Sequence, residues 1–392
     1  MTLVDLRQVY SELVMKLRRI LKISMLLIIF VTFFKMAYRV SSISKHVQER
    51  AMLSPADDNF AISSSPDDSF SYVNNDLCSS TAGLRYIICI DSKPENIEQR
   101  RSLRDTWANS ELFKNRQTKV VFVIGRTYKT HIQDLVREEM KTHDDIVQTH
   151  FMDYPQYATM KALMTLQWLS KFCHQAKVSI LAKDDVFLNI FKLINVLEYY
   201  KDRPNLVVCP LWVDKEIRRE LIQSSTTEPP KRDCGEWCLL EDELPGRVYF
   251  PTHCSSLFYT LSRDLVEAIY QTALHVPAFR MESVFITGML LELINGVQIS
   301  RINLHERTAF DEDAVLKMLG IYTNYDIVDP FYYLGKVDDD LSLMYQLWNA
   351  TLERLPVEQL KELNQQVIGG ELRSQVQLYS SVDDITEEET VA

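Results

Sequence analysis

The sequence predicts an α/β domain built on a mostly parallel sheet, and three observations carry that prediction. Short apolar runs of strand length alternate with segments of helical period from about residue 84 to residue 200. Such alternation places crossover helices between parallel strands. One of the runs, Ser179-Ile180-Leu181-Ala182, ends in Lys183-Asp184-Asp185. Charged groups at the carboxyl end of a buried strand stand where an open α/β sheet puts its ligand. Finally, 46% of the 392 residues are hydrophobic, with 17 Phe, 18 Tyr and 5 Trp, which is ample for a substantial core.

The amino-terminal segment is set apart by charge. Residues 1–50 hold nine Lys/Arg against three Asp/Glu, or +6, leaving −17 for the rest of a chain whose formal charge is −11. Ile23–Phe34 is an uncharged, mainly apolar run between Lys22 and Lys35. Both lysines can snorkel, so residues 20–38 give about a full crossing of a thin bilayer. No small-x-small cleavage site follows. The reading is an uncleaved signal-anchor over 20–38 behind a cytosolic tail, 1–19, with a buried amphipathic helix as the alternative. Lys16, Arg18, Arg19 and Lys22 favour a cytosolic amino terminus, while Lys35, Arg39, Lys45 and Arg50 dilute that bias. Residues 39–83, rich in Ser, Asp, Asn and Pro, read as a flexible stem.

Order is expected from Leu84 onward. Arg85–Ile90 is a buried-strand run closed by Asp91-Ser92, and Glu95–Ala108 has helical potential after Pro94. Lys119–Gly125 is a second strand, His131–Met140 a helix and Asp145–Phe151 a short strand. Thr159–Cys173 carries Met160, Leu163, Met164 and Trp168 at helical spacing. The run ending at Lys183 follows as a strand, and Ile190–Tyr200 is helical. Val207–Arg301 is less regular, with a helix over Arg263–Thr272. Residues 306–392 read as a helical, acidic extension.

Several function classes are excluded or left without support. An acidic body with no basic patch argues against nucleic acid as a partner. Neither a G-x-G-x-x-G nor a Walker A motif occurs, which excludes a typical dinucleotide or P-loop site. Seven cysteines allow up to three disulfides and one free thiol if the body is lumenal. Cys234 and Cys238 have C-x3-C spacing, but no second ligand pair completes a zinc site. Asn349-Ala350-Thr351 is a glycosylation sequon, usable on a lumenal face.

Six ordered elements carry a family resemblance. Arg101-Ser-Leu-Arg104-Asp-Thr106-Trp107 matches R-x-x-[IL]-R-x-T-W, and Val121–Gly125 matches the strand after it. Asp145-Ile-Val-Gln-Thr-His-Phe151-Met-Asp153 resembles D-I-[IV]-x-x-[DN]-F-x-D. Tyr157-Ala-Thr159-Met-Lys161 with Trp168 and Cys173 resembles N-L-T-x-K…W…C. Phe250-Pro251-Thr-His-Cys254-Ser255, followed by Tyr259 and Ser262, resembles Y-P-x-Y-C-S. Glu282-Ser283-Val284-Phe285-Ile-Thr-Gly288 resembles E-D-V-[YF]-x-x-G. Across about residues 84–305 the chain resembles the β-1,3-galactosyltransferase and β-1,3-N-acetylglucosaminyltransferase family, glycosyltransferase family 31.

The resemblance implies a GT-A-like, Rossmann-type sheet over 84–305 that binds a UDP-sugar. It also implies a D-x-D motif holding Mn²⁺ or Mg²⁺ on the diphosphate, and an aspartate in the E-D-V element as general base. The expected reaction is inverting β-1,3 transfer of galactose or N-acetylglucosamine to a glycan on protein or lipid, in the Golgi, by a single-pass type II protein with a lumenal domain. Two positions depart from the pattern. The family's D-D-D aligns with Lys183-Asp184-Asp185, so a cation replaces the first acid, and the E-D-V aspartate aligns with Ser283. Glycines expected after Y-C-S are replaced by Ser256, Leu257 and Phe258.

Residue by residue, Asp185 takes the direct metal position, and His305 lies at the distance of a downstream histidine ligand. Lys183 and Asp184 fall on the diphosphate side, where Lys183 can pair with Asp185 or a phosphate oxygen. Arg101 and Arg104 either face the diphosphate or make helix-surface salt bridges. Lys161 either contacts the donor or faces solvent. Ser283 cannot act as a base without an activating group, and adjacent Glu282 is the substitute, although neighbours on a strand face opposite ways. Trp107 reads as core rather than a uracil platform, and Trp212 and Trp237 as core or acceptor stacking. The rival expectation is a catalytically inactive family member that binds glycan or serves as partner subunit of an active glycosyltransferase.

Overall fold

The computed structural model describes residues 70–72, 77–79, 83–113, 117–219, 238–311, 314–315 and 341–356. They all belong to the unit Ile62–Ala392; the unit Met1–Ala61, with the expected tail and signal-anchor, lies outside the described residues. Among the described residues no helix is long and apolar enough to cross a membrane.

The first half alternates strands and helices as its apolar pattern requires. The strands are β1 (Phe70–Tyr72), β2 (Tyr86–Asp91), β3 (Thr118–Arg126), β4 (Ile146–Met152), β5 (Val178–Lys183) and β6 (Leu206–Cys209). The helices are α1 (Ile97–Asp105), α2 (Thr130–His143), α3 (Ala158–Phe172) and α4 (Ile190–Tyr199). The second half contributes the two-residue strands β7 (Leu211–Trp212), β8 (Arg218–Arg219), β9 (Cys238–Leu239) and β10 (His253–Cys254). Then come β11 (Phe258–Ser262), α5 (Arg263–Ala273), α6 (Glu282–Val284), a π-helical turn Phe285–Met289, α7 (Leu290–Leu293), β12 (Ser300–Asn303) and α8 (Leu341–Leu352).

Eight strands form one sheet in the order β1-β4-β3-β2-β5-β11-β6-β12. Neighbours in β4-β3-β2-β5 and in β6-β12 are parallel, while β1 and β11 run against their partners. The carboxyl ends of β2, β3, β4, β5, β6 and β12 therefore share one edge. Both sheet faces are covered, which is why β2 is continuously apolar rather than alternating. Tyr86, Ile88 and Ile90 enter one core, and Ile87 and Cys89 the other, as the two-residue period of a strand demands.

The domain takes in more chain than residues 84–305. Phe70–Tyr72, inside the expected stem, pairs with β4, and Cys78 is disulfide-bonded to Cys173 at the end of α3. In the expected extension, α8 sends Leu343, Met344, Leu347, Trp348 and Leu352 into the same core as β2 and β5. Trp348 stacks on Phe191 with ring centroids 5.8 Å apart, and the Tyr345 hydroxyl donates to Asp105 at 3.1 Å. A second disulfide joins Cys209 to Cys254, Cys238 is also disulfide-bonded, and Cys89 is a buried free thiol.

Candidate active site at the carboxyl edge of the sheet

Parallel pairing sets Asp91 of β2 opposite Lys183 of β5 at their shared carboxyl edge. The Lys183 ammonium donates to Asp91 Oδ2 and lies 3.7 Å from Glu282 Oε2. On the other side of Asp91, Lys161 from α3 approaches Oδ1 at 2.6 Å. Lys161 also donates to both oxygens of Asp153 at 2.9 Å and to the Ser92 carbonyl at 3.0 Å. Tyr259 of β11 closes the chain by donating its hydroxyl to Glu282 Oε1 at 2.7 Å. Five elements and the exit of β4 thus deliver one continuous line, Asp153–Lys161–Asp91–Lys183–Glu282–Tyr259.

The line has a floor and a surface. Side chains of Lys161, Asp153 and Glu282 are 6%, 7% and 8% exposed, whereas Lys183 and Asp91 are 28% and 27% exposed. Between them is a cavity of about 30 Å³, lined in part by Cys89 and Thr165, large enough for water and far below a nucleotide. Burial opposes the charge on Asp91, but the ammonium groups of Lys161 and Lys183 outweigh it and bring its carboxyl down to about 2. Burial likewise opposes the charge on Lys183, and Asp91 and Glu282 overcome it, raising its affinity for the proton. Asp153 is held in turn by the Gly125 backbone N–H at 2.7 Å.

The remaining expected residues are distributed unevenly. Asp184 is turned toward the start of α1, accepting from Ser92 Oγ at 2.6 Å and Asn96 Nδ2 at 2.9 Å, and burial raises its pKa. Asp185 is close enough to add to the electrostatic field on Lys183. His305 packs its ring against Trp212, 4.6 Å away, and Phe310, 4.8 Å away, with Lys215 over the Trp212 face. Trp107 is fully buried and donates to the Val186 carbonyl at 3.1 Å, as expected of a core residue. Trp237 lies outside the described residues.

Arg104 spans Glu139 and Asp145, donating at 2.7 Å to the former and at 2.8 and 2.9 Å to the latter. Arg101 is exposed on α1 beside Glu98, 3.9 Å away. Each thus has a carboxylate partner, Arg101 at the helix surface and Arg104 in a part-buried bridge between elements. Ser283 is buried. The element around it is a helical turn, not a strand, so the expected opposition of neighbouring side chains does not apply. Glu282 consequently reaches the Lys183 cluster although the sequence pattern pointed at position 283.

A divalent cation does not suit these donors. An ammonium stands in the first acid position, Asp184 is bonded to Ser92 and Asn96, and the His305 ring packs against Trp212 and Phe310. Among the described residues no three His, Cys, Asp or Glu side chains converge as a metal would require. Asp91, Asp153 and Tyr259 were not singled out as site residues from sequence. Asp91 ends its apolar strand in a charge, the same signal that exposed Asp184 and Asp185.

The galactosyltransferase family model matches residues 98–305, just over half of the 392-residue chain. The chain belongs to the galactosyltransferase family. It is 27% identical over 224 residues to human beta-1,3-galactosyltransferase 5, covering 57% of this chain and 67% of that protein. It is 28% identical over 226 residues to mouse beta-1,3-galactosyltransferase 1, covering 57% of this chain and 65% of that one. Among solved structures, a glycosyltransferase involved in glycosylation of the major capsid of PBCV-1 aligns at a TM-score of 0.36 and 10% identity. That alignment covers 67% of this chain and 98% of the other. The line of charges just described lies within the family segment, with every member except Asp91 between residues 98 and 305.

Proposed function

We propose that this galactosyltransferase-family chain is a GT-A-type hexosyltransferase that moves galactose or N-acetylglucosamine from a UDP-sugar to a glycan hydroxyl, with inversion, to form a β-1,3 linkage. The observation that supports it most is the Asp91–Lys183–Glu282 line at the edge where open α/β sheets bind ligands. The acceptor oxygen attacks the anomeric carbon, and the bond from that carbon to the diphosphate oxygen breaks. The electron pair leaves with UDP, and Glu282 takes the acceptor proton, oriented by the Tyr259 hydroxyl. Lys161, with its ammonium directed to Asp91, Asp153 and the Ser92 carbonyl, positions the line rather than touching donor.

The proposed setting is the Golgi membrane, with residues 20–38 as signal-anchor and the catalytic domain lumenal. Disulfides Cys78–Cys173 and Cys209–Cys254 support an oxidising compartment. Incubating the purified full-length chain with UDP-galactose or UDP-N-acetylglucosamine and a glycan panel tests the reading. Product linkage by NMR should be β-1,3; absence of both transfer and UDP-sugar hydrolysis across the panel would reject it.

A second reading has its own observation. Glu282 is 8% exposed beneath the Lys183 ammonium, and Ser283 occupies the position of the family's base. This arrangement favours an inactive member acting as glycan-binding or partner subunit of an active glycosyltransferase. Transfer that emerges only in the Lys183→Asp, Ser283→Asp double variant would support the inactive reading.

A further inference from the structure

We infer that Lys183 takes the place of a divalent cation, so that this chain binds the diphosphate of a UDP-sugar without metal. The inference rests on the proposal that the sheet edge receives a nucleotide-activated sugar. Three features of the edge carry it.

First, the cation is already built in. Lys183 stands at the carboxyl end of β5, between Asp91 and Glu282, so its ammonium bridges two carboxylates as a metal ion would. Secondly, the ammonium has donors to spare. Of its three N–H groups one goes to Asp91, while Glu282 at 3.7 Å is an ion pair beyond hydrogen-bond length. With 28% of the side chain exposed, a further N–H can meet a phosphate oxygen from the solvent side.

Thirdly, fixed ammonium groups already offset much of the negative charge that would otherwise attract a metal. Asp91, Asp153 and Glu282 bring three negative charges, and Lys161 and Lys183 return two positive ones. Counting ordinary ionisation, the two ammonium groups bring the charge of the line itself from about −3 to about −1, with Asp184 and Asp185 lying beside it. A divalent ion faces the reverse: Asp91, Asp153 and Glu282 are ion-paired to lysines, and Asp184 is hydrogen-bonded to Ser92 and Asn96.

The test is calorimetric titration of the full-length chain with UDP, once in EDTA and once in MnCl₂. The dissociation constant should agree between the two buffers within about twofold, a difference under 0.5 kcal/mol. Lys183→Gln should weaken UDP binding in EDTA about tenfold or more, the value of one charge-assisted hydrogen bond. Electron paramagnetic resonance of added Mn²⁺ gives a readout independent of UDP. Wild type should leave the Mn²⁺ spectrum that of the free ion, and Lys183→Asp should bind it. UDP binding by wild type only when Mn²⁺ is present overturns the inference and leaves the transferase proposal standing. Failure to bind UDP in either buffer overturns both. The wild-type comparison decides the matter even if a variant does not fold.

Discussion

Lys161 and Asp153, eight residues apart, form a nearly solvent-free ion pair, with the ammonium 2.9 Å from both carboxylate oxygens. They are the floor on which the part-exposed pair Lys183–Asp91 stands. Removing one member of a buried pair strands the other charge, which costs about 3–5 kcal/mol. Lys161→Met should therefore lower unfolding free energy by about that amount, because buried Asp153 loses its counter-ion while Asp91 keeps only Lys183. Lys183→Met should cost less, about 1–2 kcal/mol, since Asp91 retains Lys161 and water reaches the site. Urea denaturation followed by circular dichroism gives both values, and the reverse order would contradict the floor-and-surface arrangement.

Acid should act through Asp91. Its carboxyl is lowered from 3.8 to about 2 because the ammonium groups of Lys161 and Lys183 outweigh the effect of burial. A depressed folded-state value means the stability is fully present above the unfolded value and is lost as pH falls. The loss should run from about pH 4 to about pH 2 and amount to about 2 kcal/mol. Comparing wild type with Asp91→Asn by denaturation across that interval should show the wild-type slope flattened in the variant.

Gly125 illustrates a glycine required by close approach. A Cβ there would lie 2.7 Å from Asp153 Cβ and 2.9 Å from Asp153 Cα, and backbone at that distance cannot turn away. Gly125→Ala should push β4's exit outward, loosen the Asp153–Lys161 pair and destabilise the domain by about 1–3 kcal/mol. A melting temperature equal to that of wild type would show that the strand ends yield freely.

The first half of the fold was legible because its strands are continuous apolar runs and its helices are amphipathic. Each of the helices α1 to α4 falls where the sequence placed it, with ends shifted by at most three residues. Less visible were β6, β11 and β12, short strands whose neighbours in the sheet are distant in sequence; β6 pairs with β12 across about ninety residues. At the site, Lys183 stood out because it breaks an acid run. Asp91 gave the same strand-end signal in a weaker form, one carboxylate instead of an adjacent pair, and Asp153 was legible only through its partner Lys161 on another element. Glu282 was obscured by the assumption of a strand. Three residues of helix, Glu282–Val284, turn it toward Lys183 instead.

Arg104 separates a structural role from a ligand-binding one. It links α1 to Glu139 of α2 and to Asp145 at the entry to β4, and its guanidinium lies 4.6 Å from the Phe122 ring centre. Its neighbour Arg100 is fully buried and bonded to the same Glu139. Arg104→Gln should cost about 2–4 kcal/mol of stability by leaving a buried carboxylate short of its partner. UDP affinity of the folded fraction should stay within about twofold, an energy change under 0.5 kcal/mol. A tenfold loss of affinity without a loss of stability would instead place Arg104 at the donor.

Glu282 bears the chemical part of the proposal. Its carboxylate is fixed by Tyr259 and approached by Lys183, so Glu282→Gln keeps an oxygen for the tyrosine hydroxyl while removing the capacity to accept a proton. General-base contributions run to about 10²–10⁴-fold. The variant should accordingly lose about that factor in kcat, with UDP affinity and melting temperature close to wild type. Tyr259→Phe removes only the orienting hydrogen bond and should give a smaller loss, about tenfold. If Glu282→Gln transfers sugar at the wild-type rate, another group takes the proton and the assignment fails. If neither wild type nor variant turns over, while Ser283→Asp together with Lys183→Asp does, the buried Glu282–Lys183 contact is a locked remnant of the family site. The partner-subunit reading then replaces the catalytic one.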